Sequence, residues 1–158
     1  MERHVPSTRG VGLEVYEAFG RLAPQRAEYA SLPIRDGFDW EGCAAGLDAV
    51  DLYLVVFRSV RRAAADDRLL KEYDDRAYDE ALASGGVLRY FRGRVNERRE
   101  CLSFCLWESR RHAVTAAGKP AHGEAARISE EMYESYDLER YLVRKPRRDA
   151  GLGIEQVP

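Results

Sequence analysis

Residues 100–127, ECLSFCLWESRRHAVTAAGKPAHGEAAR, are typical of a β-strand that runs directly into a helical segment. In an extended backbone Cys101, Ser103, Cys105 and Trp107 point to one side, and the three apolar residues between them point to the other. Neither side favours water, so the pattern predicts a strand in a sheet that is covered on both faces. The face with the sulfur, hydroxyl and indole groups is the less uniform one, and we expect it to line a functional pocket.

The composition predicts one soluble globular domain. The chain has 158 residues, of which 45% are hydrophobic and 33% charged, so it is long enough to bury a core. Its formal net charge of -2 provides no overall field that would select nucleic acid or an anionic membrane as a partner. No apolar run approaches the ~20 residues that span a bilayer, and the N-terminal MERHVPSTRG lacks the layout of a secretory signal. Three cysteines, an odd number, favour a reducing compartment. The expected location is the cytoplasm.

Residues 1–50 are predicted to form an N-terminal extension of weak periodicity. Residues 12–21 fit a short helix or an arm. Further along, Phe38 and Trp40 lie between turn residues, and Asp39 is a candidate N-cap for a short helix. Two large aromatic side chains without a clear period are typical of a flap packed on the body of a domain. We expect this segment to act as a lid over the pocket or as a dimer arm.

From residue 51 onward, strand and helix patterns alternate. The predicted elements are a strand over 51–60, a helix over 64–84, strands over 87–95 and 100–107, helices over 109–117 and 120–133, and a strand over 137–145. This βαββαβ order predicts an α+β, ferredoxin-like domain over residues 51–145, with a four-stranded antiparallel sheet and its helices on one face. Residues 146–158 are expected to form a loosely held tail. The open face of the sheet needs a cover, and we expect the sheet of a second subunit to supply it, in a homodimer.

One run of sequence resembles a known family. FCLWESRRHAVTAAGKPAH, residues 104–122, is similar to the strand-Trp-x-Ser, helix, small-x-Pro-x-His pattern of the dimeric α+β barrel superfamily, especially proteins like the antibiotic biosynthesis monooxygenases. The resemblance covers residues 51–145. It implies cofactor-free oxidation of an aromatic or polyketide-type small molecule by molecular oxygen, in secondary metabolism. Trp107 matches the cavity Trp of such enzymes, whereas Ser103 stands where they place an Asn.

His122 and Trp107 are the candidate catalytic residues. His122 lies on the apolar face of the second predicted helix, where it fits either a hydrogen-bonded core histidine or a base that removes a proton from an acidic phenol or C–H group. Trp107 fits either a core aromatic or a pocket wall. The predicted substrate-binding residues are Ser103, Cys105, Tyr133, Trp40 and Phe38.

Other functions stay open at this stage. A haem-binding or haem-degrading protein would use His122 as an iron ligand. Its usual Asn partner is missing, because the only Asn of the chain, Asn96, falls in a predicted hairpin turn. An isomerase or cyclase would need the same base and cavity, and a non-catalytic ligand-binding module would need only the cavity. No metal site is expected, since Cys101 and Cys105 would lie ~13 Å apart along a strand.

Overall fold

The computed structural model describes residues 12–158 of the chain. The N-terminal MERHVPSTRG, for which no secretory signal is predicted, lies outside these residues. The helices are α1 (Leu13–Gly20), α2 (Ile34–Gly37), α3 (Trp40–Ala44), α4 (Asp67–Ser84), α5 (Arg110–Ala117) and α6 (Pro120–Met132), with a short 3-10 helix at Tyr29–Ser31. The strands are β1 (Val50–Arg61), β2 (Val87–Phe91), β3 (Glu100–Trp107), β4 (Tyr133–Lys145) and β5 (Gly153–Val157). None of the helices within the described residues is both long enough and apolar enough to cross a membrane.

The strands form one antiparallel sheet in the order β2-β3-β1-β4-β5. β1 is central, as its nearly continuous apolar run predicts, and it pairs with β3 on one side and β4 on the other. Tyr53 of β1 stands opposite both Trp107 of β3 and Leu142 of β4. The first four strands have the ferredoxin-like arrangement, so the predicted α+β fold is confirmed.

The prediction of a loosely held C-terminal tail is wrong for residues 153–157. These residues form β5, which pairs with β4 in a register that places Gly153 opposite Arg144 and Val157 opposite Arg140. The free edge of β4 offers unpaired backbone N–H and C=O groups, and β5 satisfies them. The sheet therefore has five strands. The segment is too short and too weakly alternating to be recognised from sequence.

The sheet face opposite the long helices is covered by the N-terminal segment of the same chain. Buried side chains of this segment pack against the even-numbered residues of β1 and β3 in one core. The largest of them are Phe19, Leu22, Ile34, Phe38 and Trp40. The sequence predicts that the sheet of a second subunit covers this face, but a layer of the same chain covers it, and the homodimer stays a prediction. Residues 13–47 are that layer.

Cationic side chains of the sheet fasten the N-terminal segment. The guanidinium of Arg58 on β1 donates to the carbonyl oxygens of Ala30 and Leu32, at 3.0 and 2.8 Å. Buried Lys145 on β4 donates from Nζ to the carbonyl oxygen of Ala44 at 2.9 Å. These three bonds satisfy backbone carbonyls in a region without regular strand pairing. The segment therefore packs on the sheet as part of the domain, and its role as a dimer arm stays a prediction.

The second face of the sheet carries α4, α5 and α6. Tyr53, Val87 and Trp107 from the sheet pack there against small residues of the helices. These are Ala81 of α4 and Ala113 and Ala116 of α5. This tight packing occupies one end of the face. Toward the other end the helices stand away from the sheet and leave a cavity.

Candidate functional site

A cavity of about 510 Å³ lies between the sheet and helices α4 and α6. Its volume falls in the range of pockets that bind small molecules, roughly 300–1,000 Å³. Aromatic rings from both layers make up much of its wall. They are Phe57, Tyr73, Tyr78, Tyr90, Tyr133 and Tyr136. Such a wall suits a planar, conjugated ligand.

Four of the seven predicted site residues meet in this cavity. Ser103 and Cys105 line it from β3, His122 from α6, and Tyr133 from the first position of β4. Tyr133 was predicted at the end of the helix, but α6 ends one residue earlier. Ser103 Oγ accepts a hydrogen bond from the backbone N–H of Gly93 at 3.2 Å, which leaves its own hydroxyl hydrogen for a ligand.

The other three predicted residues do not reach the cavity. Trp107 faces the same side of the sheet but is buried in the packed end of that face, with Tyr53 and Val87. Phe38 and Trp40 lie on the opposite side of the sheet, where both contact Phe104. The sheet stands between them and the cavity, so the predicted lid cannot close over it.

His122 has a carboxylate partner that sequence reasoning missed. Glu80, near the end of α4, places Oε1 3.4 Å from Nδ1 of His122. The same carboxylate accepts the backbone N–H groups of Ala121 and His122, at 3.0 and 3.3 Å, and so satisfies donors at the start of α6. The contact joins residues 42 positions apart, and no local pattern singles out Glu80 among the acidic residues of α4.

These bonds keep Glu80 ionised. Partial burial works to raise the pKa of this carboxyl, but the hydrogen bonds from Ala121 and His122 outweigh it and lower the pKa below its ordinary value. A carboxylate beside Nδ1 favours the imidazole tautomer with its proton on that nitrogen. The lone pair then lies on Nε2. Nε2 has no hydrogen-bond partner within residues 12–158, so it can accept a proton from a ligand.

The hydroxyl of Tyr90, a second polar group in the cavity, is already hydrogen-bonded within the protein. The hydroxyl of Tyr90 donates to the carboxylate of Asp74, whose two oxygens lie 2.7 and 2.6 Å away. Arg92 bonds the same carboxylate at 2.6 Å and that of Asp75 at 2.7 Å. Burial and the charge of Asp74 raise the pKa of Tyr90. Tyr90 therefore stays a neutral phenol, and its hydroxyl hydrogen is donated to Asp74 rather than to a ligand.

The cavity thiols are unreactive. Burial raises the pKa of Cys105, and burial likewise raises the pKa of Cys101. Both remain protonated at neutral pH, so neither is a nucleophile. Within residues 12–158, no three His, Cys, Asp or Glu side chains are grouped so that they could hold a metal ion.

Comparison with known sequences yields one family. A sequence model of the family described as PB2B2.08-like matches residues 10–155. No curated protein matches the chain.

Solved structures share the fold at low sequence identity. SO0527 from Shewanella oneidensis is 14% identical, with a TM-score of 0.52, over 61% of this chain and 98% of that one. Rv0793 from Mycobacterium tuberculosis is 18% identical, with a TM-score of 0.50, over 56% and 91%. SnoaB, a cofactor-independent oxygenase from Streptomyces nogalater, is 12% identical, with a TM-score of 0.47, over 60% and 91%. SO0527 and Rv0793 support the predicted α+β fold. At these identities the similarity shows the fold alone.

Proposed function

The chain belongs to the PB2B2.08-like family, and from the geometry of its cavity we propose that it is a cofactor-independent, monooxygenase-like oxidoreductase. Its substrate in this proposal is an aromatic or polyketide-type small molecule with an acidic C–H group, and its second substrate is molecular oxygen. The observation that carries the proposal is the placement of His122, held by Glu80, in the wall of an aromatic cavity.

The cavity supports binding of such a substrate. Phe57 and Tyr136 present their rings from neighbouring strands at a centroid separation of 6.3 Å, and Tyr133 stacks on Tyr136 at 5.3 Å. Planar rings gain both apolar contact and favourable ring geometry against such surfaces. The hydroxyl of Ser103 is available to bind a phenol or carbonyl oxygen of the ligand.

The proposed reaction starts with proton transfer. Nε2 of His122 removes a proton from a CH2 group flanked by aromatic rings, and the electron pair of the broken C–H bond remains on the conjugated substrate as a carbanion. Glu80 stabilises the imidazolium that forms. The carbanion gives one electron to oxygen, and the resulting radical and superoxide combine through a new C–O bond.

The second half of the reaction returns the proton. The imidazolium of His122 protonates the terminal peroxide oxygen, giving a hydroperoxide. Loss of the remaining C–H proton and cleavage of the O–O bond release water and leave a ketone. The sum is CH2 plus O2 giving C=O plus H2O, so the substrate is the only reductant and no flavin or metal is required.

Oxygen uptake with a model anthrone tests this function. We expect the purified protein, without added cofactor, to consume oxygen above the rate of the anthrone alone, and His122→Ala to reduce the rate at least tenfold. Arg127→Ala is the matched control, because Arg127 lies on the exposed side of the same helix. The control is expected to keep the full rate.

A haem titration on the same samples tests the alternative that the protein binds haem. A Soret shift that is lost in His122→Ala would replace the proposal with haem chemistry. No oxygen uptake and no haem binding would leave an isomerase, a cyclase or a non-catalytic binding module.

A further inference from the structure

Arg61, the last residue of β1, brings a cation into the cavity. Its Nε atom is buried and has no hydrogen-bond partner within the described residues. Glu108 Oε1 is the other such side-chain atom there, and it does not line the cavity. A buried donor on a charged group is costly to leave unpaired, so the protein groups of the described residues do not fully satisfy the guanidinium of Arg61.

The existing partner of Arg61 occupies only one side of the guanidinium. Asp67, at the start of α4, lies 2.6 Å from Nη1, and its side chain is 76% exposed, against 21% for Arg61. An ion pair with so exposed a carboxylate is weak. Arg61 lines the cavity, and its planar guanidinium carries donors beyond the one that Asp67 accepts, so a second acceptor can bind it from the cavity.

The other cations of the cavity are engaged. Arg92 is held by Asp74 and Asp75, and Lys71 pairs with Asp75 at 2.8 Å. Arg61 is therefore the cavity cation, among the described residues, that combines burial with an unpaired donor. Tyr133 lies beside it: burial raises the pKa of this phenol, and the charge of Arg61 opposes that rise. Tyr133 stays neutral and does not compete as an anion.

Arg61 and His122 mark opposite ends of the cavity. Arg61 contacts Asp67 in the first turn of α4, whereas His122 contacts Glu80 in its last turns. Thirteen residues of helix separate these two contacts, which is about 20 Å along the axis. α6 returns antiparallel to α4, so the cavity between them is elongated. Aromatic and small apolar side chains, including Tyr78 and Ala77, line the space between the ends.

We infer that Arg61 is a specificity-determining residue that binds an acidic oxygen of the substrate, a carboxylate or a phenolate, at the end of the cavity opposite His122. The inference rests on the proposed function and narrows its substrate class to elongated, planar molecules with an anionic group remote from the reacting carbon. Anchoring that end fixes the position of the reacting CH2 group relative to His122.

Binding of two matched probes tests the inference without turnover. Anthracene-2-carboxylate and anthracene-2-carboxamide have nearly the same shape and differ in charge, and anthracene fluorescence reports binding of both. We expect the wild-type protein to bind the carboxylate at least tenfold more tightly at low ionic strength. Arg61→Gln should abolish the preference, and Arg61→Lys should retain part of it. Arg68→Gln, an exposed arginine of α4, is the matched control and should keep it.

A variant with the opposite effect covers the case in which Arg61→Gln fails to fold. Asp67→Asn removes the exposed competitor for the guanidinium, so it should tighten carboxylate binding severalfold and leave carboxamide binding unchanged. The inference is overturned if Arg61→Gln keeps the preference, if Asp67→Asn does not tighten carboxylate binding, or if neither probe binds to the wild-type protein. Failure of the proposed function is a separate result, since it would appear as absent oxygen uptake with the carboxylate preference intact.

Discussion

Glu80 on α4 holds the imidazole of His122 on α6, with Oε1 3.4 Å from Nδ1. One carboxylate thus orients the candidate base and caps the helix that carries it. The proposed function makes this pair the central feature of the molecule, because the lone pair on Nε2 depends on the proton that Glu80 keeps on Nδ1.

We expect Glu80→Gln to lower the oxygen-uptake rate with an anthrone by about tenfold or more, since a neutral amide stabilises the imidazolium less than a carboxylate does. The KM for the anthrone should change little, because Glu80 does not line the cavity. Glu72→Gln, an exposed acid of the same helix, is the control. An unchanged rate in Glu80→Gln would show that the pair has no catalytic role.

The pH dependence of stability gives an independent check on Glu80. Its pKa is lowered in the folded protein, so the folded state binds fewer protons at this site than the unfolded state does. The stabilisation is therefore complete above the ordinary glutamate pKa of about 4.3 and is lost as the pH falls through and below it. Urea unfolding should show that the difference between wild type and Glu80→Gln shrinks on going from pH 6 to pH 3. A constant difference would contradict the assignment.

Phe38→Ala should separate stability from binding. Phe38 is almost fully buried and contacts Phe91 and Phe104 with ring centroids 5.1 Å away, so we expect a loss of about 3–5 kcal/mol in the free energy of unfolding. Ligand affinity should not change, because the sheet separates Phe38 from the cavity. Phe57→Ala is the converse variant, with a stability loss of about 1 kcal/mol and weakened probe binding. Reduced probe affinity in folded Phe38→Ala would show that the N-terminal segment, residues 13–47, does contribute to the site.

Arg58→Lys should loosen the N-terminal layer. The lysine keeps the charge but cannot bond Ala30, Leu32 and Glu139 at once, as the arginine does. We expect a loss of about 1–2 kcal/mol in urea unfolding. Arg144→Lys, in an exposed ion pair with Asp51, should change stability by less than about 0.5 kcal/mol. Equal effects of the two substitutions would mean that the carbonyl contacts of Arg58 contribute little.

Thiol labelling reports on the cavity directly. Because burial raises the pKa of Cys105, iodoacetamide should modify it slowly in the folded protein at pH 7.5 and rapidly in urea. A bound anthracene probe should slow the reaction further, whereas Cys43, which lies in the core on the other side of the sheet, should be unaffected by the probe. Mass spectrometry of the labelled peptides distinguishes the two sites. Rapid labelling of Cys105 in the folded protein would contradict the burial.

About half of the candidate site could be predicted from the sequence. The alternation from Cys101 to Trp107 predicts which face of β3 is mixed, and the helical spacing predicts that His122 faces inward. Which members of that face reach a cavity depends on where α4 and α5 approach the sheet. Ala81 and Ala116 allow close approach over Trp107 and leave no space there. Arg61 and Glu80 could not be predicted, because each makes its contact with a residue of another helix or strand, and the spacing of residues along the sequence does not indicate such contacts.

The sequence by itself determined the sheet domain, because the period of two in the strands and the period of about 3.6 in α4 are local and strong. It also determined the fold-level resemblance through the run of residues 104–122. Only the tertiary structure decided what covers the second face of the sheet, because the bulky side chains of residues 13–47 follow no period and bury themselves by fitting one surface. That layer removes the reason for a dimer of packed sheets, while the homodimer and the cytoplasmic location stay predictions. β5 likewise could not be predicted from the sequence, because it forms a strand only by pairing with the edge of β4.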